Sequence, residues 1–501
     1  MPASAYIAID LGAESGRAIV GVLDACKLRL HEAHRFTHNP VGLPTGLHWD
    51  LTGLWHNIIQ GLRQAIAWCD DQGHTPVSVG IDTWGVDWCV VDHAGELVHM
   101  PHCYRDPRNQ AAYDKTLAAC GRDWLYERTG NQFMAINSLY QLVAAQDASP
   151  GMFDRANRLL FMPDLLHYWL TGEMKNEATI ASTSQMIDPR TGQWASDVLD
   201  KAGLPTHMLG PIAPPGTVLG ELLPAVAKQV GAPTGMKVIL PGSHDTASAV
   251  AAVPVDPARG NWCYLSSGTW SLLGAELDAP CLSDAARDVP LTNEGGVGKK
   301  IRLLKNIAGL WLVQELRRAY EAQGTSYDYA ALTQLAAQSP PLRTLLDTTH
   351  GPFAQPGDMP AKMSAYARDT GQSEPTTPGQ FVRAALESLA LTYRQTIDAL
   401  EDVLDTRYDV LHIVGGGGKN DLLNQMTANA IGRPVVVGPY EGTAAGNVLV
   451  QAMGAGDLAD LAQIRQVVVA SFEPTVYEPC IADDAAAWQQ AHKTFSELTG
   501  G

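Results

Sequence analysis

Short apolar runs alternate with longer stretches of helical periodicity through most of the chain. YIAID (residues 6–10), VSVGID (77–82) and KVIL (237–240) predict buried strands, whereas TASAVAAV (246–253) and NDLLNQMTANAI (420–431) predict helices. Such alternation predicts an α/β protein. Gly- and Pro-rich stretches at 210–220, 350–358 and 371–379 predict loops. Two places depart from the alternation in the same manner. YIAID passes through a Gly/Ser turn into AIVGVL, and NWCYL passes through another into SLLGAEL, each predicting a strand–turn–strand hairpin. The two hairpins lie about half the chain apart, consistent either with a duplicated domain or with two unrelated examples of a common device. The polar, Pro-containing connector VPVDPARGN (253–261) places a boundary nearby, with domains expected over 1–247 and 248–501.

Composition narrows the function class. With 501 residues, 46% hydrophobic and 18% charged, the chain can bury more than one large core. Its net charge of -18 argues against nucleic acid or an anionic membrane as partner. A phosphorylated ligand remains compatible, because a few local N–H groups hold phosphate whatever the overall charge. No apolar run reaches the ~20 residues of a bilayer span. The start, MPASAYIAIDLGAESGR, lacks the basic and apolar regions of a signal peptide. The eight cysteines form no C-x-x-C and read as reduced thiols, so a cytoplasmic protein is expected. His99, His102 and Cys103 adjoin in HMPHCYRDPR, but Pro101 breaks any helical spacing and no second ligand cluster follows, so a loop is expected rather than zinc.

Several segments carry candidate chemistry. In the first turn, Gly12 and Gly16 permit φ > 0 and close backbone approach, and the N–H groups of Ala13, Glu14, Ser15 and Gly16 with the Arg17 guanidinium suit phosphate. Asp10, at the strand end, suits Mg²⁺. The alternative is an ordinary hairpin, and the Glu14 carboxylate beside a phosphate favours it. In the second turn, Thr269 and its neighbours offer hydroxyl and N–H donors. Gly415, Gly416, Gly417 and Gly418 follow an apparent strand and precede a helix, an arrangement that admits a nucleotide. Asn420 stands where a dinucleotide fingerprint needs its third glycine, which argues against an NAD-linked oxidoreductase. Asp245, between strand and helix, suits a general base, although an N-cap is the commoner use of that position. GIDTWGVDW (80–88) suits a sugar, with carboxylates for hydroxyls and indoles for C–H faces, or else a twisted hairpin with core tryptophans. In KNIAGLWLVQE (305–315), Trp311, Leu312 and Glu315 keep helical spacing with Gln314 on another face. Asn306 is expected at the first turn of that helix, as ligand contact or N-cap.

The ordered set AIDLGAESGR, SVGIDTWGVDW, CYRDPR, TSQMIDPRTGQW, PGSHDTASAV, YLSSGTWSLLG, TNEGG, KNIAGLWLVQE and HIVGGGGKNDLLNQM resembles the FGGY carbohydrate kinases of the sugar-kinase/actin-like superfamily. The resemblance implies two actin-like (ribonuclease H-like) α/β domains with an active site in an interdomain cleft. It implies ATP and Mg²⁺ as cofactors, a small sugar as partner substrate, and a monomer or homodimer. Asp245 then matches the general base. Ala13, Glu14, Ser15, Gly16, Arg17, Thr269, Gln314, Gly416 and Gly417 match ATP contacts; Gly85, His244, Asp245, Thr246 and Asn306 match sugar contacts; Asp10 matches the acid near Mg²⁺. Glu14 departs from the small hydroxyl residue expected there, and Gly418 and Lys419 replace a different pair. The implied reaction is ATP-dependent phosphorylation of the C1 hydroxyl of L-rhamnulose. The alternatives are L-fuculose or a xylulose as acceptor, or a non-catalytic actin-like nucleotide switch.

Overall fold

In the computed structural model, which describes residues 3–480 and 483–500, the first apolar run is the strand Ser4–Leu11 of a six-stranded sheet. The sheet order is Val218–Glu221, Lys237–Ile239, Pro76–Thr83, Ser4–Leu11, Ser15–Asp24, Lys27–Thr37. Both faces of the sheet are covered, which is why the central strand is apolar almost throughout instead of alternating. Its side chains sort by parity. Ala5, Ile7, Ile9 and Leu11 share a core with Leu54, Ile58 and Leu62 of the helix Leu51–Asp71. Tyr6 and Ala8 share another with Ala251 of the helix Asp245–Ala251 and Ala444, Val448 and Leu449 of the helix Gly442–Ala455. Asp10 continues the parity of Tyr6 and Ala8. The stretch 210–220, expected as a loop, contributes the edge strand Val218–Glu221, paired antiparallel with Lys237–Ile239; its prolines precede that strand instead of interrupting it.

The second expected hairpin is Trp262–Ser267 and Ser271–Leu277, antiparallel. Trp262–Ser267 also pairs parallel with Val410–Val414, which pairs parallel with Val435–Val437. The helix Asp421–Ile431 follows the Gly-rich turn and packs on Pro378–Leu404.

These elements group into two compact units. One takes the chain up to Ala252, Glu276–Leu303 and Gly442–Phe472; the other takes Val253–Ala275, Leu304–Glu441 and the chain from Glu473. The single cut expected between 247 and 248 lies just before the first crossing. The crossings near 275 and 303 fall within the strands Ser271–Leu277 and Ile301–Ile307, so no Pro/Gly linker marks them. Among the described residues, no helix is long and apolar enough to cross a membrane.

Candidate active site

The first unit gathers three carboxylates, two of them by strand register. Asp10 stands opposite Arg17 in the antiparallel pair and beside Asp82 in the parallel pair. Arg17 Nη2 donates to Asp10 Oδ2. Asp82 is fully buried; its Oδ2 accepts from Asn447 Nδ2 at 2.6 Å, while Oδ1 has no partner among the described residues. Burial, reinforced by the charge of Asp10, holds the Asp82 carboxyl well above the usual range. Asp245 is also raised, chiefly by burial, with Asp10 adding to the rise.

Asp245 is not the cap of its helix. His244 occupies the N-cap position and Asp245 is the first helical residue. Its Oδ1 accepts from the Thr246 N–H at 2.5 Å and the Thr246 hydroxyl at 3.1 Å. The side chain keeps 30% of its surface exposed, so a ligand hydroxyl can reach a carboxylate that the helix does not consume. Gly85 adjoins His244: a Cβ at position 85 would lie 3.4 Å from His244 Nε2 and 3.3 Å from Thr183 Cγ2. The Thr83 N–H donates to the Ser243 carbonyl at 2.9 Å and ties the two loops together. Gly85 and the loop that carries His244, Asp245 and Thr246 are thus neighbours.

The support beneath them carried no sequence signal. Glu177 is buried, and its Oε2 accepts from the Thr179 hydroxyl at 2.6 Å, the Ile180 N–H at 3.1 Å and the Ser243 N–H at 3.2 Å. Burial pushes its carboxyl up to about 7 against these hydrogen bonds. The His244 N–H donates to Thr179 Oγ1 at 3.1 Å. Only the TNEGG segment pointed toward another missed neighbour, Glu294, whose Oε2 lies 3.2 Å from His244 Nδ1.

The first turn is tight: the Gly12 N–H donates to the Ser15 carbonyl at 2.9 Å, and the Glu14 carbonyl accepts from the His38 N–H at 3.1 Å. Neither Gly12 nor Gly16 adopts the positive φ expected of it. Gly16 answers to packing instead, because a Cβ there would lie 2.3 Å from Phe36 Cζ. The Glu14 side chain is exposed, while Ser15 and Gly16 already belong to the strand Ser15–Asp24.

The segment 80–88 resolves mostly toward the core. Asp87 is buried and accepts from Trp49 Nε1 at 2.5 Å, Trp84 Nε1 at 2.9 Å, Gln141 Nε2 at 3.1 Å and the Tyr104 N–H at 3.2 Å. Burial still pushes it up to about 6. Trp84 lies against Trp49 with ring centroids 4.1 Å apart, and Trp88 joins a separate core cluster. Among the described residues, no three His, Cys, Asp or Glu side chains group to hold a metal ion.

In the second unit, Gln314 Nε2 donates to Thr269 Oγ1 at 2.9 Å, joining the hairpin turn to the helix Trp311–Ala322. The register of Ser266 with Val414 brings the Gly-rich turn to the same sheet end. A Cβ at Gly417 would lie 2.2 Å from Ser267 Oγ, so only glycine lets the two turns meet; at Gly416 a Cβ would meet nothing within 4 Å. Thr269, Gln314, Gly416 and Gly417 therefore cluster, with Gly416 facing open space. Asn306 departs from expectation: it lies in the strand Ile301–Ile307, not at the helix start, which comes at Trp311. Residues 308–310 supply the turn between them, a break that helical periodicity cannot register in so short a span.

The chain matches the N-terminal domain of the FGGY family of carbohydrate kinases over residues 5–252 and the C-terminal domain of that family over residues 263–455. It is 41% identical over 490 residues to a rhamnulokinase of Bacteroides thetaiotaomicron, covering 98% of each chain. It is 35% identical over 489 residues to one of Bacillus subtilis, again covering 98% of each. Among solved structures, it resembles a gluconate kinase from Lactobacillus acidophilus (TM-score 0.82, 16% identity, 99% of this chain and 98% of that one). It also resembles a Plasmodium falciparum glycerol kinase with ADP (TM-score 0.77, 17% identity, 99% and 98%). The structural likenesses speak for the fold, and the sequence matches extend over nearly the whole length. The chain belongs to the FGGY family of carbohydrate kinases.

Proposed function

We propose that this carbohydrate kinase transfers the γ-phosphoryl group of ATP to the C1 hydroxyl of L-rhamnulose, giving L-rhamnulose 1-phosphate and ADP in the cytoplasm. The observation that carries the reading is the 35–41% identity to rhamnulokinases over nearly the whole chain. The arrangement around Asp245 supports the chemistry. Asp245 accepts the proton of the C1 hydroxyl as its oxygen bonds to the γ-phosphorus and the bond to the β,γ-bridging oxygen breaks. An aligned base contributes roughly 10²–10⁴ in rate; positioning and charge neutralisation supply the rest. Gly85, His244, Thr246 and Asn306 contact the sugar. The backbone of residues 13–16 and the Arg17 guanidinium hold phosphate oxygens, and Thr269, Gln314, Gly416 and Gly417 hold the remainder of the nucleotide.

The residues also fit Mg²⁺. The candidate donors are carboxylate oxygens, and the buried Asp82 Oδ1 beside Asp10, without a partner among the described residues, suits a hard cation. Asp10 would hold the ion, which when bound neutralises phosphate charge. The test is ADP release with Mg-ATP and a panel of L-rhamnulose, L-fuculose, D- and L-xylulose, D-ribulose and glycerol. Preference for L-rhamnulose is the expected result. A flat response, or preference for another sugar, overturns the substrate assignment, and sugar-independent ATP binding without phosphotransfer favours a nucleotide switch.

A further inference from the structure

The ring of His244 is gripped at one nitrogen by a buried ion pair that the transfer reaction does not itself require. Arg302 is fully buried, and its Nε–H donates to the Gly295 carbonyl at 2.9 Å. Its Nη2 lies 3.2 Å from His244 Nδ1 and 3.1 Å from Glu294 Oε2. A guanidinium offers donors and no acceptor, so its hydrogen bond to Nδ1 needs the lone pair of that nitrogen. A neutral imidazole then carries its proton on Nε2. Nε2 lies 3.5 Å from Asp245 Oδ1 and faces the space that Gly85 leaves clear.

We propose that Arg302, anchored by Glu294, is a positioning residue that holds His244 as the neutral Nε2–H tautomer, so that a fixed N–H donor stands beside Asp245. The inference rests on the reading of Asp245 as the base and deepens it. A donor at Nε2 binds a sugar oxygen and leaves Asp245 as the one proton acceptor at that end of the site. The opposite tautomer, with Nδ1–H turned to Glu294, would expose a lone pair at Nε2 that competes with Asp245 for the hydroxyl proton. Glu294 keeps the guanidinium in place: burial acts to raise its carboxyl, but the carboxyl is held below the usual range, with the Arg302 guanidinium the foremost opposing charge. Removing the carboxylate would leave Arg302 buried without its countercharge. The His244 N–H donates to Thr179 Oγ1, whose hydroxyl donates in turn to Glu177 Oε2, which fixes the backbone from which the ring projects.

The test uses the full chain with ¹⁵N-labelled histidine, without substrate, at neutral pH. His244→Gln assigns the His244 resonances by their disappearance. The expected spectrum shows a protonated Nε2 and an unprotonated Nδ1. A protonated Nδ1, alone or together with Nε2, overturns the proposal. Glu294→Gln, nearly isosteric, is expected to lower kcat by about tenfold to a hundredfold with the KM for ATP unchanged, and to mix the tautomers. Unchanged kcat and tautomer in Glu294→Gln overturn it as well. The wild-type spectrum is read without turnover, so it is independent of the Asp245→Asn result and of the sugar preference that test the functional reading.

Discussion

At Asp245, burial disfavours the charge and prevails. Asp245→Asn keeps the shape and removes the acceptor; turnover is expected to fall by roughly 10²–10⁴ with ATP binding retained. Near wild-type kcat would remove Asp245 from the base role. The direction of the pH dependence follows from the raised pKa. Only the carboxylate accepts a proton, so kcat/KM is expected to fall as pH drops through a limb lying above the ordinary 3.8. A limb no higher than an ordinary aspartate's would contradict that environment. Gly416 permits a cleaner test of the nucleotide side. Apart from its chain neighbours, a methyl group there meets no atom of the described residues within 4 Å, so Gly416→Ala should leave the melting temperature unchanged while raising the KM for ATP. An unchanged KM would remove Gly416 from the ATP contacts.

At the scale of elements, the base is only as well placed as its helix. The helices Asp245–Ala251 and Gly442–Ala455 meet so closely that a Cβ on Gly446 would lie 1.8 Å from the Ser248 carbonyl oxygen. Gly446→Ala is therefore expected to cost about 1–3 kcal/mol or more in stability, read by denaturant unfolding, and to lower kcat by displacing Asp245. Stability within 0.5 kcal/mol of wild type, the usual range for surface changes, would refute the close approach. The loop before the same helix rests on Glu177, whose carboxyl rises from 4.5 to about 7. A raised acid binds its proton more tightly in the folded state, so its contribution to stability is full below 4.5 and lost as pH rises through about 7. Glu177→Gln should flatten the pH dependence of stability in that window, and an unchanged slope there would place the titration elsewhere.

At the scale of the molecule, the two units exchange segments, so neither is a continuous stretch of chain. A fragment ending at residue 252 retains Asp10, Asp82 and Asp245 but loses the helix Gly442–Ala455, which covers Tyr6, Ala8 and Ile19. Exposing that apolar face is expected to abolish cooperative unfolding and to promote dye binding or aggregation. A monomeric fragment with a sharp thermal transition would contradict the role assigned to the returning helix.

Local chemistry settled much of this protein in advance. Hydrophobic runs located the strands, the two Gly/Ser turns located the hairpins, and motif order led to the family, because strand burial, turn geometry and glycine placement are properties of neighbouring residues. Tertiary structure decided what depended on residues far apart in the chain. It made His244 rather than Asp245 the cap, put Asn306 on a strand, and turned Trp84 and Asp87 into core. It also placed Glu177, Glu294 and Arg302 around the His244–Asp245 loop. Glu177 and Arg302 carry no motif of their own, and TNEGG does not tell which partner Glu294 meets: a buried charge acquires its role from the partners that folding brings to it, and strand register and helix packing select those partners.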